Sequence, residues 1–275
     1  MNLYDFAFFR GPEGKPDFNH YLRILANQAQ FEKWDFPNRP RDQYEILNNF
    51  IKFSFLKLME DQEYYLYQGR AVNYKGEEND FCVFNTGLLD RNTGEELMFF
   101  FERNTNPIAR SPWFCIGTGT YSMPRFREIA AQAFNNEVPP MADFVDGDYP
   151  SLVMDPYLPV SFNLAHFNEY PERLPDVLQE LPPETRSILL QGAISLAIKH
   201  LHRNYRYAVP MYYMEESRLQ LLLPLMISPR SRIGYALILD RLRSEDGYTA
   251  RTILTFEQAY INARLIAKPE GWLAI

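Results

Sequence analysis

The 275-residue chain is 46% hydrophobic and 15% aromatic, enough to bury a sizeable core as one large domain or two small ones. Its net charge of −7 argues against broad, sequence-blind binding to a nucleic-acid backbone, and no run of about 18 uninterrupted apolar residues offers a membrane span. Two cysteines without a CxxC pair exclude a zinc ribbon or a dithiol redox motif. Cys82 and Cys115 sit in aromatic, strand-like sequence and are expected to be buried free thiols. Asp5 precedes most of the first apolar residues and no basic leader is present, so a cytoplasmic protein is expected.

In chain order, residues 18 to 34 place Tyr21, Leu22, Leu25, Ala29 and Trp34 near one face at helical spacing, and Pro37 and Pro40 end that element. A second helix is expected from about Asp42 to Glu60, with Ile46, Leu47, Phe50, Ile51, Phe55 and Leu58 as its apolar stripe. From Tyr64 the pattern shifts. EYYLYQ, DFCVFNTG, ELMFFFE and WFCIGTG read as strands, separated by the turn signals KGEEND, RNTG and RNTNP. Asn85, Thr86 and Gly87 fall at the expected end of the second strand. Their turn either exposes backbone N–H groups for a phosphate or base edge, or is an ordinary strand end whose Asn caps its own backbone.

Residues 123 to 136 form an expected surface helix, followed from Pro139 to Pro183 by a proline-rich, acidic stretch too long for a plain linker. It reads as a docked functional loop containing Asn163, His166 and Arg173. The Arg173 fork suits a phosphate or, equally, an acidic neighbour that would pin the loop. Pro183 then opens a strong helix with Leu190, Ile194, Ala197 and Leu201 on its core face. Strands are expected at about 208 to 214, 219 to 227 and 233 to 242, then a hairpin at Asp246-Gly247 and a returning strand. Thr255 and Gln258 make a capping box for the last helix, FEQAYINARLIA. The whole predicts an α+β fold in one compact domain spanning 1 to 275, with mixed or mainly antiparallel sheet supported by helices.

Charge, rings and apolar bulk change over together at residues 200 to 227. From Lys199 onward there are 11 basic and 7 acidic residues, a net of +4; the first 198 residues carry 17 basic and 28 acidic, a net of −11. Asn204, Arg206, Tyr212, Tyr213 and Gln220 are placed where a core strand leaves a helix end, a common ligand location. Asn262 and Arg264 are polar residues on the flanks of the last, apolar helix.

The stretches RNYRYAVPMYY at 203 to 213, QLLLPL at 220 to 225, FNTGLLD at 84 to 90 and TILTFEQAYINARLIAKPEGWL at 252 to 273 resemble the bacterial family catalogued as domain of unknown function 3825. The likeness runs from about Phe18 to Leu273. Relatives are often preceded by a small cold-shock or LOTUS RNA-binding module, which implies an RNA setting, and no such module is expected ahead of this family-like region. The chain departs from the family pattern at Met211 and Gly234, where relatives carry glutamine and aspartate.

No HExxH, P-loop, GxGxxG or GxSxG motif occurs. No structural metal is expected, although the aspartates from Asp143 to Asp155 are of a type that gathers Mg²⁺. What remains is an Asn/Arg/Tyr/Gln set suited to base edges, base faces and phosphate. The expectation is a pocket for a nucleotide or RNA end. If it is catalytic, Arg206 and Arg264 stabilise charge and His166 is the acid–base candidate, in a phosphoester or pyrophosphate hydrolase or transferase; if not, the domain is a nucleotide sensor or a protein-interaction module. Asn85, Asn204, Arg206, Tyr212 and Asn262 are expected to line one concavity.

Overall fold

The computed structural model describes residues 2–37, 40, 43–65, 81–106, 108–134, 136–163, 167, 169, 174, 176–227, 234–242, 244 and 246–268. The class is α+β, as expected. Two compact units divide the chain near Asp143, and each carries one sheet with its own helices.

Unit one is built on phenylalanine. Strands β2 (Phe81–Leu89), β3 (Glu96–Arg103) and β4 (Trp113–Gly119) pair antiparallel, and a two-residue strand β1 (Ala7–Phe8) adds parallel to β4 to give the order β1-β4-β3-β2. Alternation sends Phe84, Phe99 and Phe101 to one face, where Phe84 and Phe99 stack at 6.0 Å and Phe55 meets Phe84 edge-on. Helices α1 (Leu3–Phe6), α2 (Phe18–Gln28) and α3 (Glu45–Tyr65) belong to this side. All six residues of the α3 stripe are buried. The other face receives α4 (Pro124–Phe134), whose Phe126 lies flat on Phe100 at 4.0 Å. Each such fully buried phenylalanine contributes roughly 1.5–3 kcal/mol of transfer free energy.

Unit two has a sheet of order β5-β9-β8-β7-β6. Strands β6 (Val209–Tyr213), β7 (Arg218–Leu225), β8 (Tyr235–Arg241) and β9 (Tyr248–Thr255) are antiparallel neighbours, and β5 (Val160–Ser161) joins β9 in parallel. Residues 221, 223, 225, 237 and 239 present leucine to a core that also holds Leu190, Ala193, Ala197 and Leu201 of the long helix Pro183–Leu201. A short helix, α5 (Asp176–Gln179), precedes that helix, which is therefore α6; the last helix is α7 (Phe256–Arg264). Both halves of the capping box at Thr255 and Gln258 are present, and α7 packs on β6, β8 and β9. Within the stretch from Pro139 to Pro183, expected to dock, Met154, Phe167, Leu174 and Leu178 join the same core. Arg186 is buried there and donates to the carbonyls of Leu178, Gln179 and Leu181, closing the end of α5.

Three local expectations change. Helix α2 stops at Gln28 because Ala29 turns extended and the chain hydrogen-bonds to the end of β2, Gln30 N–H to the Leu89 carbonyl and Arg91 N–H to the Gln28 carbonyl. Tyr64 and Tyr65, expected to begin a strand, extend α3 instead; the remainder of that strand lies outside the described residues. The first ten residues hold α1 and β1, which no periodicity announced. Both cysteines are buried free thiols, and burial pushes both upward. Among the described residues no helix is long and apolar enough to cross a membrane.

The turn between β2 and β3 gives a pH test. Burial alone would raise the Asp90 carboxyl, but N–H groups of Thr93 and Asn92, the Thr93 hydroxyl and the charge of Arg91 outweigh it and hold the group below its ordinary value. A depressed folded pKa makes its contribution complete above the unfolded value of 3.8 and lost as pH falls through the folded one. Asp90→Asn is expected to cost about 1 kcal/mol near neutrality, a deficit that narrows as pH falls through the depressed folded value, read from urea midpoints at neutral and at acid pH.

Candidate functional site

The register of β1 on β4 aligns Ala7 with Trp113 and Phe8 with Phe114. Trp113 faces the buried side, stacking on Phe6, so Phe8 and Phe114 stand together on the opposite side with centroids 6.0 Å apart. Both rings are half-buried and present apolar surface at the sheet edge. Beyond β1 the chain reverses through a loop closed by Gly11 N–H to the Lys15 carbonyl and by the bridge of Arg10 with Pro16. Gly14 has φ of +80°, which favours glycine, and a Cβ there would lie 3.7 Å from the Arg10 guanidinium. Tyr21 anchors the loop, its hydroxyl placed to donate to the Arg10 carbonyl at 3.1 Å or the Cys115 carbonyl at 3.2 Å.

Two cavities meet along this edge. The first, about 880 Å³, is bounded by Tyr4, Phe8, Arg10, Asn104, Arg110 and Phe114 among others. The second, about 590 Å³, is bounded by Arg10, His20, Glu102, Phe114, Ile116 and Arg125 among others. Both volumes fall in the range of small-molecule sites. Arg10 and Phe114 belong to both. Among the described residues the guanidinium groups of Arg10 and Arg110 have no ion pair or hydrogen bond. Arg125 donates to the Ile116 carbonyl and lies 5.4 Å from the Phe126 ring centre. His20 Nδ1 is 3.2 Å from Arg23 Nη2. Asp17 faces the first cavity but its carboxylate caps α2 through His20 N–H at 3.0 Å. Burial raises Tyr21 and Cys115, so both stay protonated near neutrality.

The residues singled out by sequence lie elsewhere. Asn85 pairs with Met98, and Thr86 and Gly87 after it form a two-residue bulge inside β2 rather than a turn at its end. Asn85 Oδ1 accepts from Gly87 N–H, Thr86 Oγ accepts from Leu88 N–H, and Asn85 Nδ2 donates to the Pro139 carbonyl at 2.8 Å. Those N–H groups are thus engaged locally. In unit two, Asn204 caps the short 3-10 turn Tyr205–Tyr207 by accepting from Arg206 N–H, and the exposed Arg206 donates to the Tyr205 hydroxyl. On β6, Tyr212 is buried against Phe144 at 5.0 Å, while Tyr213 projects to the other face and donates to Glu215. Bonding to Glu215 and partial burial raise the Tyr213 hydroxyl. Asn262 and Arg264 are half-buried on α7, and Asn163 is exposed with its carbonyl accepting from Phe167 N–H. Asn85, Asn204, Arg206, Tyr212 and Asn262 are not gathered in either cavity of unit one. His166 and Arg173 lie outside the described residues. No group of three or more His, Cys, Asp or Glu that could hold a metal occurs among the described residues.

Gln220 belongs to a polar cluster that the linear pattern hid. It lies directly across β7 and β8 from Asp240 and donates to it at 2.7 Å, while Arg218 donates at 2.8 Å and Arg251 closes the set. Asp240 is 2% exposed. Its charge is balanced by two arginines, and its bond holds Arg251 above the ordinary value.

The model of the family described as domain of unknown function 3825 matches residues 25–272. The chain belongs to that family. No curated protein and no solved structure matches it. The match takes in Asn104, Arg110, Phe114 and Arg125, whereas Phe8 and Arg10 precede it.

The Asp240 cluster yields a stability test. Asp240→Ala leaves the Gln220 amide buried without its acceptor and Arg251 without its ion pair, while Arg218 keeps Glu216; because the arginines are partly exposed, the expected loss is about 2–3 kcal/mol, read by chemical denaturation. The double variant with Arg251→Ala should lose less than the sum of the two single variants.

Proposed function

We propose that unit one recognises a nucleotide or an RNA end in the cavities along β1 and β4. The observation that carries the reading is the pairing of two half-buried aromatic rings, Phe8 and Phe114, with two guanidinium groups, Arg10 and Arg110, that have no partner among the described residues. A ring face suits a base of any identity, and a planar guanidinium fork suits a phosphate. In an acidic protein, cations left uncommitted at a concave aromatic wall select an anionic ligand with a flat part. The RNA setting implied by the family resemblance points the same way. The protonated Tyr21 and Cys115 are suited to holding and shaping rather than to nucleophilic attack, which favours recognition over turnover.

Titration calorimetry with nucleoside monophosphates tests the reading. Measurable binding is expected, and Arg10→Ala and Arg110→Ala should each weaken it about tenfold, or about 1.4 kcal/mol. Phe114→Ala should cost about 1–3 kcal/mol through lost stacking. Absence of binding, or affinities unchanged in all three variants, would refute the site.

A further inference from the structure

The two cavities differ in lining yet share a wall. The first has Arg110, the Phe8 ring and two carboxylates, Asp5 and the helix-capping Asp17; the second has Arg125, Glu102 and His20; Arg10 and Phe114 stand between them and border both. Three guanidinium groups therefore follow the edge of β1 and β4 in the order Arg110, Arg10, Arg125, with the aromatic wall beside the middle one. A mononucleotide brings one phosphate and one base, and either cavity alone is large enough for it. It leaves the other cavity and at least one cation unused.

Resting on the reading above, we infer that the ligand is two-lobed: the terminal two nucleotides of a single-stranded RNA, one in each cavity, with the linking phosphate at Arg10. A track of cations with ring faces alongside is the arrangement by which single strands are held without dependence on base identity. Arg125 contributes although one of its N–H groups is held by the Ile116 carbonyl, because a guanidinium has five donors. Glu102, exposed on β3, borders the second cavity and not the first, and its charge disfavours an additional phosphate there. The site is thus fitted to two nucleotides rather than to a long strand.

The test is a length series on the unaltered chain: 5′-phosphorylated oligoadenylates of one, two and three nucleotides, titrated by calorimetry at several salt concentrations. Affinity is expected to rise at least tenfold from one nucleotide to two and less than about twofold from two to three. The salt slope should steepen by about 0.7 for the added phosphate. Arg125→Ala is expected to bring the ratio of dinucleotide to mononucleotide affinity down toward one, with thermal unfolding used to verify that the variant is folded. Equal affinity for one and two nucleotides would overturn the two-lobed ligand while leaving the mononucleotide site standing. A 5′–5′ pyrophosphate-linked dinucleotide that binds more tightly than the RNA dinucleotide would overturn the assignment to RNA. If no member of the series binds, both this inference and the site on which it rests are refuted.

Discussion

The pairing of two residues of β1 with two of β4 is the constraint on which the candidate site depends. Ala7 and Phe8 form too short a strand to persist by backbone hydrogen bonds alone. They are held by what flanks them: Phe6 packs on Phe55, Phe101 and Trp113, and Phe9 packs on Phe18, Tyr21 and Phe99. With Ala7 and Phe9 buried, strand alternation leaves Phe8 on the side of Phe114. The same anchoring sets Arg10, which follows Phe9 directly and whose carbonyl is held by Tyr21. The aromatic core and the cationic cleft are therefore parts of one arrangement, and loosening Phe9 would misplace Arg10.

Electrostatics separates arginines that support structure from those that face an unmet need. Arg218 and Arg251 share the buried carboxylate of Asp240, and Arg186 is consumed by three carbonyls. The desolvation of such cations is already offset by these counter-groups. Arg10 and Arg110 have no such counterpart among the described residues and remain exposed. At physiological ionic strength, charges more than about 8 Å away are largely screened, so the net −7 of the chain matters less to a bound phosphate than these neighbours. This reverses the emphasis suggested by composition, where the C-terminal segment carries the net positive charge.

Much of the fold was legible because its elements are long enough to show a period. The stripes of α3 and α6, the strands FCVFNTGLL, ELMFFFER and WFCIGTG, and the capping box at Thr255 all stand where their spacing placed them. The site was less legible for three physical reasons. A four-residue helix and a two-residue strand are shorter than any periodic signal, which hid Phe8 and Arg10. Sequence proximity near residue 212 says nothing of faces, so Tyr212 and Gln220 looked like neighbours although alternation sends them to opposite sides of the sheet. Finally, an arginine reads the same in sequence whether paired or not, and Asp240 lies 22 residues from Arg218. The one available signal for the cleft was the unusual run FAFFR, three phenylalanines followed by a cation beside a glycine, which is too apolar for a tail and too short for a helix.

Family membership bears unequally on the two walls of the cleft. The matched stretch starts at Leu25 and includes β4, the loop carrying Asn104 and Arg110, and Arg125 of α4. The wall made by Tyr4, Phe8 and Arg10 lies before it. Properties that depend on Phe114, Arg110 and Arg125 therefore rest on positions that the family description covers. Those that depend on Arg10 do not follow from membership and must be argued from this chain. Because Arg10 is the cation common to both cavities, the coupling of the two lobes through a charge is the feature least deducible from relatives and most dependent on how β1 is held. A relative with a different segment ahead of α2 could retain two basic cavities and still lack the cation that joins them.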